Sequence, residues 1–346
     1  MTRRCCPRRI HFRRMLAISA AFLGMGLAAS AVTAASEELA KPGLIVPGSP
    51  KEARFNAPGG IALNPTTGEI ILANTNEHRI EIYSLGGRFL TRFAHRVRVK
   101  DGTLVEGLPR SIAVAGANRL LVVDSYAPYV DVIDYRGSSV AELKTPVPPN
   151  GPGLTSVAVT RKGEILASAP GEMGRIYFFA PDFTPIGSWG EPGKSPGHLN
   201  NIVAMAELPD GNIVVACALT ELAIQIFTPQ GEFVGGFGNH DIGPGNFSLP
   251  SGLAVTADGR IWASDELRQI VQVFNSTGTY IGAVGGGGVA PGCFQYPSAL
   301  ATDGVSHLAV TERVGGRFQI FNIPSRSDDS EPEANLSTSG SRDVGP

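Results

Sequence analysis

Between residues 244 and 284 the chain passes through four short β-branched or alternating apolar stretches, each closed by a turn signal. Leu253–Thr256 leads across Asp258-Gly259 into Ile261–Ser264. Ile270–Phe274 follows, and Ser276-Thr277-Gly278 then leads into Thr279–Val284. Period-two alternation marks half-buried strands, so this spacing predicts a four-stranded antiparallel meander. The unit recurs from about residue 53 to residue 323. Aligned on the residue before each first strand, the copies begin at Gly60, Ser111, Ser156, Val203, Gly252 and Ser298, in steps of 51, 45, 47, 49 and 46 residues. Six such units predict an all-β fold, a six-bladed β-propeller of four-stranded antiparallel blades, none of which can bury its faces alone.

The two ends of the chain complete each other. The sixth unit stops after its third strand, Phe318–Ile323, while Leu44–Val46 near the N-terminus is an isolated apolar run bounded by prolines. That run is expected to supply the missing fourth strand, which would close the ring and remove two free sheet edges. The propeller is thus placed at residues 35–323. Residues 324–346 are polar and aperiodic and are expected to form a disordered tail. Residues 1–14 carry six arginines and no acid, Met15–Leu27 is apolar, and small residues follow at Ala29-Ser30-Ala31 and Val32-Thr33-Ala34. These three regions predict a signal peptide over 1–34 and an exported protein, periplasmic or secreted, without a stable membrane span after cleavage. An uncleaved anchor is the alternative reading of the same run.

Composition and charge narrow the classes. The 43 Gly and 26 Pro in 346 residues suit a fold made mostly of turns and short strands. Losing the six leader arginines leaves 23 basic against 31 acidic side chains, a net charge of about −8, which argues against nucleic acid as a partner. Of four cysteines only Cys217 and Cys293 lie beyond the leader, too few for a disulfide framework. Two buried thiols are expected there, with a single bridge as the alternative.

Each unit opens with a related phrase, fullest in Pro244-Gly245-Asn246-Phe247-Ser248-Leu249-Pro250 and Pro291-Gly292-Cys293-Phe294-Gln295-Tyr296-Pro297, and reduced in Phe55-Asn56-Ala57-Pro58 and Pro196-Gly197-His198-Leu199. The third strands read Ile80–Tyr83, Val130–Ile133, Ile176–Phe179, Ile224–Phe227, Val271–Phe274 and Phe318–Phe321. At these residues, and at Asn74-Thr75-Asn76-Glu77-His78-Arg79-Ile80, the chain resembles the NHL-repeat family. The resemblance covers about 270 residues. It implies the propeller fold but no single function, since that family includes binding scaffolds, receptor ectodomains and a peptide-amidating lyase. The slot before the third strand holds Asn74, Asp124, Asp265 and Glu312 in four units, where a short polar side chain can bond loop backbone. Pro170 and Ala218 occupy it in the other two.

Strand alternation places the blade-to-blade connections and the second-to-third-strand loops on one face, called upper here. His78, Arg79, Tyr126, Tyr129, Arg175, His198, His240, Asp265, Glu312 and Arg317 are expected around its mouth, where propellers take ligands. The longest step hides a further element. Thr91–Lys100 and Thr103–Glu106 flank Asp101-Gly102, a hairpin signal, with Arg96, Arg98 and Lys100 alternating against Val97 and Val99. This predicts a protruding ribbon with a basic stripe, suited to an acidic partner.

A metal centre would need three convergent ligands. Of the five histidines beyond the leader, His78 and His198 sit in structural phrases and His307 in a lower turn, so no cofactor is expected, with zinc or calcium on the axis as the alternative. No G-x-S-x-G elbow occurs, and Gly285–Gly288 leads into a strand rather than a helix. The expected function is that of a non-enzymatic binding module or scaffold for a protein or cell-envelope glycan, through the upper loops. The alternative is a propeller enzyme like the amidating lyase or the gluconolactonases.

Overall fold

The computed structural model describes residues 39–48, 54–99, 101–116, 118–146, 153–169 and 173–324. The expected signal peptide, the tail beyond Pro324, Lys100 and Pro170 lie outside the described residues. Six four-stranded antiparallel sheets form the six blades. Blade 1 contains Gly60–Asn64, Glu69–Asn74, Arg79–Ser84 and Phe89–Ala94. Blade 2 contains Pro109–Ala115, Arg119–Asp124, Tyr129–Ile133 and Ser139–Lys144. Blade 3 has Val157–Val159, Ile165–Ser168, Ile176–Phe179 and Pro185–Trp189. Blade 4 has Ile202–Glu207, Ile213–Cys217, Ile224–Phe227 and Phe233–Phe237. Blade 5 runs through Pro250–Val255, Ile261–Asp265, Ile270–Phe274 and Tyr280–Gly285. Blade 6 contributes Pro297–Thr302, His307–Glu312 and Arg317–Asn322.

The N-terminal strand Lys41–Val46 supplies the fourth strand of blade 6, pairing antiparallel with Arg317–Asn322 through Leu44↔Ile320, Ile45↔Gln319 and Val46↔Phe318. Ring closure thus joins the two ends of the propeller, as the apolar run predicts. The turn glycines Gly259 and Gly278 adopt φ of 81° and 85°, the left-handed region that the Asp-Gly and Thr-Gly signals demand.

The core is divided among the blade interfaces. Six apolar clusters fill the six seams, and each draws residues from two neighbouring blades; Leu121, Val130 and Val132 of blade 2, for example, meet Ile165, Tyr177 and Phe179 of blade 3. The opening phrases explain themselves here. Phe247 and Phe294 are fully buried and pack against an aromatic near the end of the third strand, Phe274 and Phe321, with centroids 5.8 and 5.5 Å apart. The central polar residue of that strand is also buried and spent on the same phrase. Gln272 accepts from Gly245 N–H and donates to the Asn246 carbonyl, Gln319 does the same with Gly292 and Cys293, and Gln225 with Gly197 and His198. Because a buried amide pairs two backbone groups of a turn, Gln272→Leu should cost about 2 kcal/mol, the penalty for stranded buried partners. Urea unfolding of the variant, with an unchanged denaturant slope, is the measurement.

Cys217 is a free, fully buried thiol whose pKa burial pushes up to about 12. Cys293 is disulfide-bonded and Cys217 is not its partner, so the expectation of two free thiols holds at Cys217 alone.

Candidate functional site

The axis is lined by the first strand of every blade, and four of those strands share an irregularity. Register shifts fall between Pro109 and Ser111, Ile202 and Ala204, Pro250 and Gly252, and Pro297 and Ala299. Each is a bulge of one extra residue, a device that re-aims a side chain. The extra residues are Arg110, Val203, Ser251 and Ser298, and all four line the axial opening. Neighbouring blades are tied together at this level, Ser251 Oγ donating to the Pro297 carbonyl at 2.7 Å, Ser298 Oγ to Pro58 at 3.0 Å and Thr75 Oγ1 to Pro109 at 2.7 Å.

The upper mouth is a cup of about 230 Å³ whose polar lining includes Arg110, Thr155, Asn201, Ser251, Glu266, Ser298 and Arg313. Below it a narrower stretch of about 110 Å³ runs between the first strands of all six blades. The lower end opens into about 680 Å³ bordered by first-to-second-strand turns, with Asn64, Arg161, Glu207 and Asp303 among its residues.

Three charges face the upper cup. Glu266 of blade 5 bonds Arg313 of blade 6 at 3.2 Å, and burial raises the Glu266 pKa against the pull of that guanidinium. Arg110 of blade 2 makes no hydrogen bond or ion pair with any described residue. Its side chain opens to the solvent of the cup while protein surrounds it, so desolvation, reinforced by the Arg313 charge, lowers its pKa against the attraction of Asp124. Two guanidinium groups and one carboxylate therefore face the cup, and only that of Arg313 is paired with the carboxylate.

The residues expected at the mouth are distributed differently. Asp265 is fully buried, its carboxylate accepting from the backbone N–H of Ser248, Leu249 and Arg268. Glu312 is equally buried and accepts from Gln295 N–H and from Arg317 Nε at 2.6 Å, while the Arg317 guanidinium also donates to the Val289 and Cys293 carbonyls. Arg79 plays the corresponding part in blade 1, bonding Glu81 at 2.8 Å. The polar slot and its arginine thus fasten the opening phrase to the blade and are not presented to the cup. Around the rim, His78 Nδ1 lies 2.8 Å from the Gly107 carbonyl, His240 Nε2 2.6 Å from that of Thr220, and Arg175 donates to Ser188 Oγ at 3.2 Å. His198 Nε2 sits 4.0 Å from Glu191 Oε2. Tyr126 is half exposed on its loop. Among the described residues, no three His, Cys, Asp or Glu side chains gather as a metal-ligand set.

The ribbon is present but shorter than expected, and it is docked through Val97 and Val105. Thr91–Ala94 belongs to the outer strand of blade 1, so the ribbon begins at Arg96–Arg98 and returns through Leu104–Glu106. Val97 is buried with Ala127 and Tyr129, and Tyr129 Oη accepts from Arg98 N–H at 2.9 Å. Tyr129 is thereby a support for the ribbon. Arg96 and Arg98 stay exposed on its outer side.

Exposed large apolar side chains are unevenly placed among the described residues. Tyr126, Leu219, Ile242, Leu267, Val289, Tyr296 and Val314 all stand on upper loops, and Leu104 on the ribbon, whereas the lower loops contribute Val305. The rest decorate outer strands, at Val140, Ile186, Phe233, Val234, Tyr280 and Ile281.

A comparison with protein-family models found no match, nor did one with curated proteins. Solved structures do resemble this chain. A protein of unknown function from Bacteroides thetaiotaomicron aligns with a TM-score of 0.62 at 15% identity, covering 82% of this chain and 73% of that one. A putative gluconolactonase gives 0.55 at 16%, covering 82% and 99%. A streptogramin B lyase gives 0.55 at 13%, covering 81% and 97%. The shared property is the propeller fold.

Proposed function

We propose that this chain is an exported, non-enzymatic binding propeller of the NHL-repeat kind, which docks a protein ligand on its upper loop face. The placement of exposed apolar side chains carries this reading: the upper loops and ribbon hold eight and the lower loops one among the described residues. Exposed apolar side chains gathered on one face favour reading that face as an interaction surface. Arg96 and Arg98, exposed on the ribbon, would steer a partner with acidic groups, because complementary charge acts chiefly on the rate of encounter.

The test compares faces. Ile242→Glu with Leu267→Glu on the upper loops, Arg96→Glu with Arg98→Glu on the ribbon, and Val305→Glu below are each used to capture a partner from an extract of the source cells. The upper-loop pair should reduce capture of one and the same protein about tenfold, the worth of a central apolar contact or two. The ribbon pair should reduce it mainly at low salt, and the lower variant should leave it unchanged. Equal capture by all three would sink the reading.

A further inference from the structure

We propose that the upper axial cup is a site for an anionic oxygen group, a carboxylate or a phosphate, held by Arg110 and Arg313. The proposal deepens the upper-face reading, on which it rests for its place in a docking event, since such a group on the partner would enter the cup while the apolar rim is covered. The first observation is the unpartnered guanidinium. In the described protein the neighbouring arginines of the upper face are committed: Arg79 to Glu81, Arg317 to Glu312 and two carbonyls, Arg268 to the Gly243 and Asn246 carbonyls. Arg110 alone among these lines the cup without a hydrogen bond or ion pair. A guanidinium offers a planar fork of donors that matches two oxygens of one anion, and it cannot escape its charge by losing a proton.

The second observation is how Arg110 reaches the axis. It is the extra residue of the bulge between Pro109 and Ser111, so the backbone turns its side chain out of the blade seam and into the opening. Arg110 comes from blade 2, Glu266 from blade 5 across the six-membered ring and Arg313 from blade 6 beside it, so the groups reach the cup from three separate blades. With Glu266 ionised the cup keeps one surplus positive charge. The surrounding Thr155, Ser251 and Ser298 add hydroxyls and no further charge. At about 230 Å³ the cup is smaller than the roughly 300–1,000 Å³ of sites that enclose a whole drug-sized ligand. It suits a small anion, or the acidic tip of something larger.

The experiment follows the arginine Nε–Hε signals by NMR in the full propeller, titrated separately with acetate and with inorganic phosphate, against sodium chloride at matched ionic strength. The Arg110 signal should move saturably with at least one of the two anions and not with chloride; the tighter anion names the class of the natural group. Arg110→Met should weaken that binding at least about tenfold, as loss of a charge-assisted pair of hydrogen bonds implies. Arg313→Met should weaken it less, and Arg110→Lys should retain part of it. Arg96→Met, on the ribbon, should not change it. A response linear in salt, or one that survives Arg110→Met in a folded protein, overturns the site. The outcome is independent of the docking test: a cup that binds neither anion leaves face-selective capture intact, and loss of face selectivity leaves the anion titration intact.

Discussion

Removal of the strand Lys41–Val46 should lower the melting temperature by about 10 °C or more and broaden the transition. This strand pairs with the last strand of blade 6 over five registered positions and does more than cover its edge. Val46 is buried in the cluster of Phe55, Phe318 and Ile320 at the seam between blades 6 and 1, with Leu44 packed against it. Ala40 and Leu39, immediately upstream, fill the seam between blades 5 and 6. Each buried apolar side chain of this size contributes about 1.5–3 kcal/mol, so the segment is worth 5 kcal/mol or more even before its backbone bonds are counted. At about 2 °C per kcal/mol for a domain of this length, the shift follows. A single charge should reproduce much of it. Val46→Asp places a carboxylate in the same apolar seam and should cost about 4 kcal/mol. Circular dichroism melts of the truncated and substituted chains measure both effects. A peptide spanning residues 39–48, added to the truncated protein, should restore the melt saturably. A truncated chain that melts with the intact one would show the ring to be closed by other contacts.

Closure was legible because it is a matter of counting: five units with four strand-like runs and one with three leave a single vacancy, and one apolar run remains to fill it. The upper and lower faces were legible for a similar reason, since antiparallel alternation assigns every loop to an end. Contacts between blades left no such trace. The first strand of blade 5 starts at Pro250, three residues before the apolar run at Leu253, because a bulge at Ser251 breaks the alternation that would reveal it. The same irregularity in blade 2 hides Arg110 outside the apparent strand, although it is the residue that reaches the axis. Glu266 and Arg313 each follow a polar slot residue, Asp265 and Glu312. The slot attracts attention by recurring, yet its side chain turns inward to the backbone of the opening phrase, and the variable residue after it meets the cup. Recurrence along this chain marks what holds the blades together, and departure from it marks what they present.

Blade 2 is the strongest departure, and it predicts an unusual dependence on pH. In blades 4, 5 and 6 the third-strand glutamine fastens the opening phrase; in blade 2 the equivalent position is Asp131 and the ribbon replaces the phrase. His95 fills the space, its Nε2 3.4 Å from Asp124 Oδ2 and its Nδ1 4.0 Å from Asp131 Oδ2, and both Nε2 and that Asp124 oxygen lack a hydrogen bond. Burial lowers the His95 pKa to about 4. Burial raises that of Asp131 to about 6, offset in part by Ser139 Oγ and reinforced by Glu142 and Asp124. Asp124 is raised by burial too, against its backbone donors, His78 and Arg110.

His95 and Asp131 act with opposite sign. As pH falls from 6.5 towards 4, the unfolded imidazole takes a proton that native His95 refuses, so the native state loses about 3 kcal/mol. As pH falls from 6 towards 3.8, native Asp131 takes its proton before the unfolded carboxyl does, and about 3 kcal/mol returns. The intact protein should therefore show little net change from this pair between pH 6.5 and 4. Asp131→Asn should be more stable than the parent at pH 7 and lose that advantage by pH 4, while His95→Gln should match the parent near pH 7 and exceed it at pH 4. Urea unfolding at both pH values, with all three proteins sharing one denaturant slope, reads the two differences directly. Curves that stay parallel across the range would mean that the imidazole and carboxylates do not titrate as buried groups, and that the ribbon is open at its root.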